Sequence, residues 1–295
     1  MRHRETHRNP SGRRTVMAGA DAAVIFVVVM LVGMLWNACS FLILFSIIHF
    51  GCWYEFQRLI GLIDPDYKDI SSVHKWGIVL AGYGLMLWMT VDKFTFLNFR
   101  LDELGWWILL LGVLVIPIGE ILFSKNFHLK SIMYSLAGLL YLSFSWGCMM
   151  QLRGDNFLNL GWILPMMLIV SIWINDTMAY IVGSFIGKNP LSAISPKKTW
   201  EGTIGGAILC IVVVTLTGYF AFGMTDYVSL IVISAIAAVI GTLGDLLESK
   251  LKRMAGVKDS GHFMPGHGGF LDRFDSLLLA TPFVWIYFSL IKHYL

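Results

Sequence analysis

Charge is what this sequence has least of. Only 14% of its 295 residues are Asp, Glu, Lys or Arg, against 57% apolar, where a soluble domain carries about 25% charged residues. So few charges cannot cover a water-facing surface, and most of the chain must face lipid or other helices. No polar stretch is long enough for a separate soluble domain, although the length alone would allow one or two. The net charge of +3 is too small to argue for nucleic acid as a partner. Cysteine is scarce as well. Cys39, Cys52, Cys148 and Cys210 lie in apolar runs without close pairing or metal-ligand spacing, and read as small core residues. There is no internal repeat, no Walker A spacing, and no triad or catalytic cysteine.

What is present in quantity is apolar sequence in runs near the roughly 20 residues that a membrane span needs. Runs at about 77–91, 106–123, 131–151, 158–186, 203–222, 227–245 and 277–293 read as spans. The run 22–62 is too long for one span and breaks near Asn37-Ala38-Cys39-Ser40 into two. A signal peptide has an apolar region of only roughly 7–15 residues, so the basic start reads as a retained cytoplasmic tail. With the N-terminus inside, 18 of the 22 Lys and Arg fall in inner segments, leaving Lys93, Arg100, Arg153 and Lys292 outside. That asymmetry fits the positive-inside rule. The expectation is an all-α polytopic transmembrane bundle of about nine spans, N-terminus cytoplasmic. Its organisation is a basic tail (1–20), N-terminal transmembrane helices (21–150) and a C-terminal transmembrane catalytic region (151–295).

Two inner segments, 187–202 and 246–276, are longer than the other connections and rich in specific residue types. Thr242, Asp245, Ser249 and Lys252 fall on one helix face. A carboxylate at the end of a lipid-embedded helix requires a polar cavity, a cation or a partner. Asp245 therefore reads either as an interfacial residue paired with Lys250 or as part of a site. Asp272-Arg273-Phe274-Asp275 follows just before the last apolar run. Asp245 and Asp272 amid Lys250, Lys252, Arg253, Lys258 and Arg273 suggest Mg²⁺ carrying a phosphate substrate; structural ion pairs are the alternative. Pro265-Gly266-His267-Gly268-Gly269 between them suits a backbone that approaches an anion, or a plain turn. His267 reads equally as a phosphate donor or a structural hydrogen-bonder. In the other segment, Ser195 can serve as N-cap with Pro196 at the first helical position. Lys197, Lys198 and Thr199 there would make a phosphate site at a helix N-terminus. Asp176 lies inside an apolar run and reads as functional or as paired to a lysine.

These residues resemble the phosphatidate cytidylyltransferase (CDP-diacylglycerol synthase) family. The resemblance is carried by Ser249-x-Leu251-Lys252-Arg253, Lys258-Asp259-x-Gly261 and Pro265-x-His267-Gly268-Gly269-Phe270-x-Asp272-Arg273-Phe274-Asp275. Upstream, Asn175-Asp176-Thr177-x-Ala179-Tyr180 and Ser195-Pro196-Lys197-Lys198-Thr199-x-Glu201-Gly202 resemble it too. Met264 stands where the family commonly has Leu, Ile or Phe. The resemblance implies transfer of a cytidylyl group from CTP to phosphatidic acid, giving CDP-diacylglycerol and pyrophosphate. It also implies Mg²⁺, alone or with a second cation, and a homodimer in the bacterial inner membrane with its site facing the cytoplasm. Asp245 and Asp272 would hold the metal. Lys197, Lys198, Lys252, Arg253, Lys258, Asp259, His267, Arg273 and Asp275 would serve the reaction. Ser195, Thr199, Glu201, Asp176, Gly268 and Gly269 would shape the nucleotide site. The competing readings are a CTP-dependent polyprenol- or dolichol-type lipid kinase and an ion-coupled transporter using Asp176 and Asp245.

Overall fold

The computed structural model describes residues 24–91, 94–96, 99–123, 129–154, 161–261 and 268–294. The basic tail at 1–20 and His267 lie outside the described residues. In chain order the helices are α1 (Val24–Leu35), α2 (Ala38–Ile63), α3 (Ser72–Trp88), α4 (Leu101–Phe123), α5 (Leu129–Gly138), α6 (Phe144–Gly154), α7 (Ile163–Ile186), α8 (Trp200–Phe222), α9 (Tyr227–Met254) and α10 (Leu271–Tyr294). A π-helical stretch, Leu139–Ser143, joins α5 to α6. The all-α expectation holds apart from two-residue strands β1 (Thr95–Phe96) and β2 (Phe99–Arg100), which pair antiparallel ahead of α4.

Among the described residues, six helices are long and apolar enough to cross a membrane: Ala38–Ile63, Leu101–Gly119, Leu129–Gly154, Ile163–Ile186, Trp200–Phe222 and Tyr227–Met254. The first apolar run breaks at Asn37. The Asn37 side chain accepts from Ser40 N at 2.8 Å, and the Ser40 hydroxyl accepts from Asn37 N at 3.0 Å. This reciprocal capping box satisfies helix-start donors that would otherwise be orphaned, so α2 starts afresh instead of continuing α1. The N-terminal core gathers Phe41, Phe45, Trp53, Leu142 and Trp146, all fully buried. Trp146 meets Phe274 of α10 edge-on at 5.7 Å between centroids, which ties this half to the start of α10.

The C-terminal half is built on close helix contacts. In lipid no hydrophobic force drives helices together, so small residues that let backbones approach do much of the work. A Cβ on Gly206 of α8 would lie 2.7 Å from the Ala179 backbone of α7. One on Gly244 of α9 would lie 2.6 Å from the Asp275 carbonyl of α10. These approaches set Asp176 beside the start of α8 and Asp245 beside Asp275. Gly206→Val should destabilise the protein by about 1–3 kcal/mol, as overpacking does, because the atoms it meets are backbone and cannot rotate away. Thermal unfolding in detergent checks this; an unchanged midpoint would show that α7 and α8 do not rely on the contact.

Candidate functional site

The polar loop before α8 is folded by its own side chains. Leu191 N donates to Lys198 O at 2.7 Å, and Trp200 N to Asn189 O at 2.9 Å, so 189–191 and 198–200 run alongside each other. That extended pairing keeps Lys198 and Thr199 out of helical geometry. Thr199, not Ser195, therefore caps the helix: its hydroxyl accepts from Gly202 N at 3.1 Å. Ser195 instead closes a turn, its carbonyl accepting from Lys198 N at 3.1 Å. The expected helix start at Pro196 is corrected to Trp200. Glu201 clamps the loop, accepting from Lys188 N (3.1 Å), Asn189 N (3.2 Å) and Asn189 Nδ2 (2.6 Å). Its carboxylate is thus spent on loop shape.

The product of this folding is the placement of Lys198, whose ammonium pairs with Asp245 of α9. Asp245 does not need Lys250, which is exposed. A cavity of about 400 Å³ opens around the pair, lined by Asp176, Ser195, Lys197, Thr199 and Thr242 among others. Asp176 also lines a second cavity of about 400 Å³ that reaches Asp272, Arg273, Asp275 and the apolar Phe26 and Met30 of α1. The two polar segments separated in sequence therefore meet at one end of α7, α8, α9 and α10.

Around Asp245 the carboxylates crowd. Oxygens of Asp245, Glu248 and Asp275 can lie within 4.8 Å of one another. Glu248 is fully buried and Asp275 is 9% exposed. Lys252, one turn beyond Glu248, contacts Glu248 and donates to Asp272 Oδ1 at 2.6 Å. Neither Glu248 oxygen has a hydrogen-bond donor in proper geometry among the described residues. Asp272 differs sharply. Its Oδ2 accepts from Ser260 N at 2.9 Å and Gly269 N at 2.7 Å, with the Ser260 hydroxyl at 3.0 Å. Asp245 and Asp272, expected to face one metal, are thus engaged here by Lys198 and Lys252 respectively, while Glu248 and Asp275 stand nearest Asp245.

The remaining expected residues are placed as follows. Gly268 has φ +82°, and a Cβ there would lie 2.6 Å from Asp272, so glycine is required. The Gly269 N–H donates to Asp272 at 2.7 Å. Arg253 donates to Val257 O at 3.1 Å and closes the end of α9. Lys258 and Asp259 are exposed beyond that end. Two acids escaped the sequence reading. Glu248 could have been found from its spacing, three residues after Asp245 on the same face. Glu55 of α2 could have been found only as a lone carboxylate in an apolar run. It is 3% exposed and accepts from Phe270 N (2.9 Å), Leu271 N (2.8 Å) and the Ser260 hydroxyl (2.6 Å).

Residues 14–291 match the model of the cytidylyltransferase family. The chain is 31% identical over 280 residues to the phosphatidate cytidylyltransferase of Bacillus subtilis (strain 168), covering 94% of this chain and 98% of that relative. It is 38% identical over 175 residues to the phosphatidate cytidylyltransferase of Staphylococcus haemolyticus (strain JCSC1435), covering 59% of this chain and 65% of that one. The protein of the same name from Staphylococcus aureus (strain COL) is 39% identical over 176 residues, with 59% and 65% covered.

Proposed function

The chain belongs to the cytidylyltransferase family, and from that premise we propose that it moves the cytidylyl group of CTP onto phosphatidate. The products are CDP-diacylglycerol, an intermediate of phospholipid biosynthesis, and pyrophosphate. Beyond the family itself, the observation that carries this reading is the Lys198–Asp245 pair, which joins the two polar segments across a cavity bounded by apolar helices. One substrate is a lipid and the other is water-soluble, so the chemistry belongs where both can reach.

A phosphate oxygen of phosphatidate attacks the α-phosphorus of CTP. The bond from that phosphorus to the bridging oxygen breaks, and its electrons leave with pyrophosphate. The nucleophile is already ionised at neutral pH, so no strong general base is required. The barrier is repulsion between anions and charge building on the leaving group, and catalysis is then mostly positioning and electrostatics.

The site's own charges favour a cation. Asp176, Asp245, Glu248, Asp272 and Asp275 outnumber Lys197, Lys198, Lys252 and Arg273 around the two cavities and the acid cluster. Two anionic substrates cannot enter such a cluster unless positive charge comes with them. All the available donors are carboxylate oxygens, which suit Mg²⁺, and Glu248 already has the Lys252 ammonium beside it as countercharge. In this reading Asp245 and Asp272 hold the metal, with Glu248 and Asp275 lining it. Bound there, Mg²⁺ would neutralise phosphate charge. Lys197 and Lys198 receive the polyphosphate, and Lys252 balances Glu248 and Asp272 between turnovers. Arg273, beside the apolar residues of α1, orients the lipid phosphate.

The wider assignment comprises nine crossings, with α1, α3 and α10 joining the six long apolar helices. It also places the N-terminus and the site on the cytoplasmic side of a bacterial inner membrane, in a homodimer. The division at residue 150 leaves all the site residues named in the sequence motifs in the C-terminal part. Supplying purified protein with CTP labelled in the base, Mg²⁺ and phosphatidate should give labelled lipid and pyrophosphate. Chelation should stop the reaction and added Mg²⁺ restore it. Release of CDP in place of pyrophosphate would point to a lipid kinase and overturn the assignment.

A further inference from the structure

Glu55 lies in α2, far from both polar segments in sequence, yet it grips the second of them from both sides. Its Oε2 takes the Ser260 hydroxyl at 2.6 Å and Leu271 N at 2.8 Å, while Oε1 takes Phe270 N at 2.9 Å. Space has been cleared for it. A Cβ on Gly261 or Gly269 would collide with the Glu55 carboxylate, and one on Gly51 would lie 2.5 Å from the Phe270 ring. Helix starts are usually capped by a side chain one to three residues away; this one is capped from 216 residues away.

The consequence falls on Asp272. Three successive N–H groups, of Gly269, Phe270 and Leu271, open α10, and each attracts a carboxylate. Glu55 takes two of them. Asp272 is left with Gly269 and Ser260 on Oδ2, so its Oδ1 stays turned to Lys252 and the acid cluster. The Ser260 hydroxyl lies 2.6 Å from Glu55 and 3.0 Å from Asp272. Having one proton, it can donate to only one of them at a time, which couples the two carboxylates directly.

We propose that Glu55 is a positioning residue for the reaction: by occupying the first donors of α10 and holding Ser260, it fixes the direction in which Asp272 presents its carboxylate. This rests on the reading of Asp272 as a cation ligand given above. Residues that orient metal ligands typically change metal affinity or activity by about 10–100-fold when replaced.

The test uses the full-length protein in lipid–detergent micelles, with Mg²⁺ titrated against activity and, without substrates, against heat of binding by calorimetry, where the Kd should shift in parallel. Glu55→Gln should raise the Mg²⁺ concentration for half-maximal rate by about tenfold or more, leaving the KM for phosphatidate unchanged. Ser260→Ala should shift it in the same direction, and the double variant should fall short of the product of the two effects. A purely structural role would lower the active fraction without moving the half-saturation point. A folded Glu55→Gln protein with wild-type half-saturation overturns the inference. If Glu55→Gln does not fold, an unshifted Ser260→Ala overturns it instead. If the wild-type enzyme needs no cation, the metal reading fails separately. The KM for CTP then decides: a rise of about tenfold in Glu55→Gln sustains positioning, and no change ends it.

Discussion

Asp245→Asn is expected to lower the rate of CDP-diacylglycerol formation about 10³-fold, the scale on which loss of a preorganised electrostatic group acts, while the protein stays as stable as the wild type or gains slightly. The two halves of that expectation have one cause. Asparagine keeps the shape of the side chain between Lys198 and the α9–α10 contact, so packing is undisturbed. It removes the charge that draws Lys198 over from the loop before α8 and that would hold a cation. It also relieves repulsion with Glu248 and Asp275, whose oxygens can approach within 4.8 Å. Stability and activity moving apart is the behaviour of groups assembled for function at the expense of the fold. Steady-state rates and unfolding midpoints on the same preparation check it. A loss of less than about tenfold, well short of the 10²–10³ range for such groups, would remove Asp245 from the site.

Lys252→Met should act in the opposite way on stability, lowering it by about 3–5 kcal/mol, as breaking a buried ion pair does, and abolishing activity. Lys252 is the shared cation of Glu248 and Asp272, and all three side chains are largely buried, at 12%, 0% and 9% exposure. The two acids do not suffer equally. Asp272 retains Ser260 N and Gly269 N as donors, whereas Glu248 has no donor in proper geometry among the described residues. The penalty should therefore sit on Glu248. Adding Glu248→Gln to Lys252→Met should return most of the lost stability and none of the activity. Chemical denaturation of the single and double variants measures the recovery. A double variant no more stable than Lys252→Met would show that Asp272, and not Glu248, depends on the lysine.

Much of this could be read from the sequence, and what could not has a common reason. The apolar runs mark the helices, since their length and polarity are local properties, and the break near Asn37 follows from a capping pattern four residues long. The importance of the two polar inner segments was equally legible, because charge is rare elsewhere. Partner choice was not. Asp245 could have taken Lys250 on its own helix, yet it meets Lys198 because loop pairing at 189–191 with 198–200 aims that lysine across. Ser195 was the expected cap, and the same backbone pairing gives that position to Thr199. Glu248 is marked only by its spacing from Asp245, and Glu55 only as a lone carboxylate in an apolar run. Their roles depend on how α2, α9 and α10 approach, which Gly244, Gly261 and Gly269 permit but do not announce.

The long reach of Glu55 has a consequence for how the protein is made. Its partners Ser260 and Leu271 follow it by 205 and 216 residues. At synthesis rates of about 5–20 residues per second, they emerge roughly 10–40 s later. Throughout that interval α2 carries a carboxylate among apolar residues without the groups that satisfy it. The keystone is delivered last, and a chain cut short before α10 lacks the very donors its second helix was built to receive.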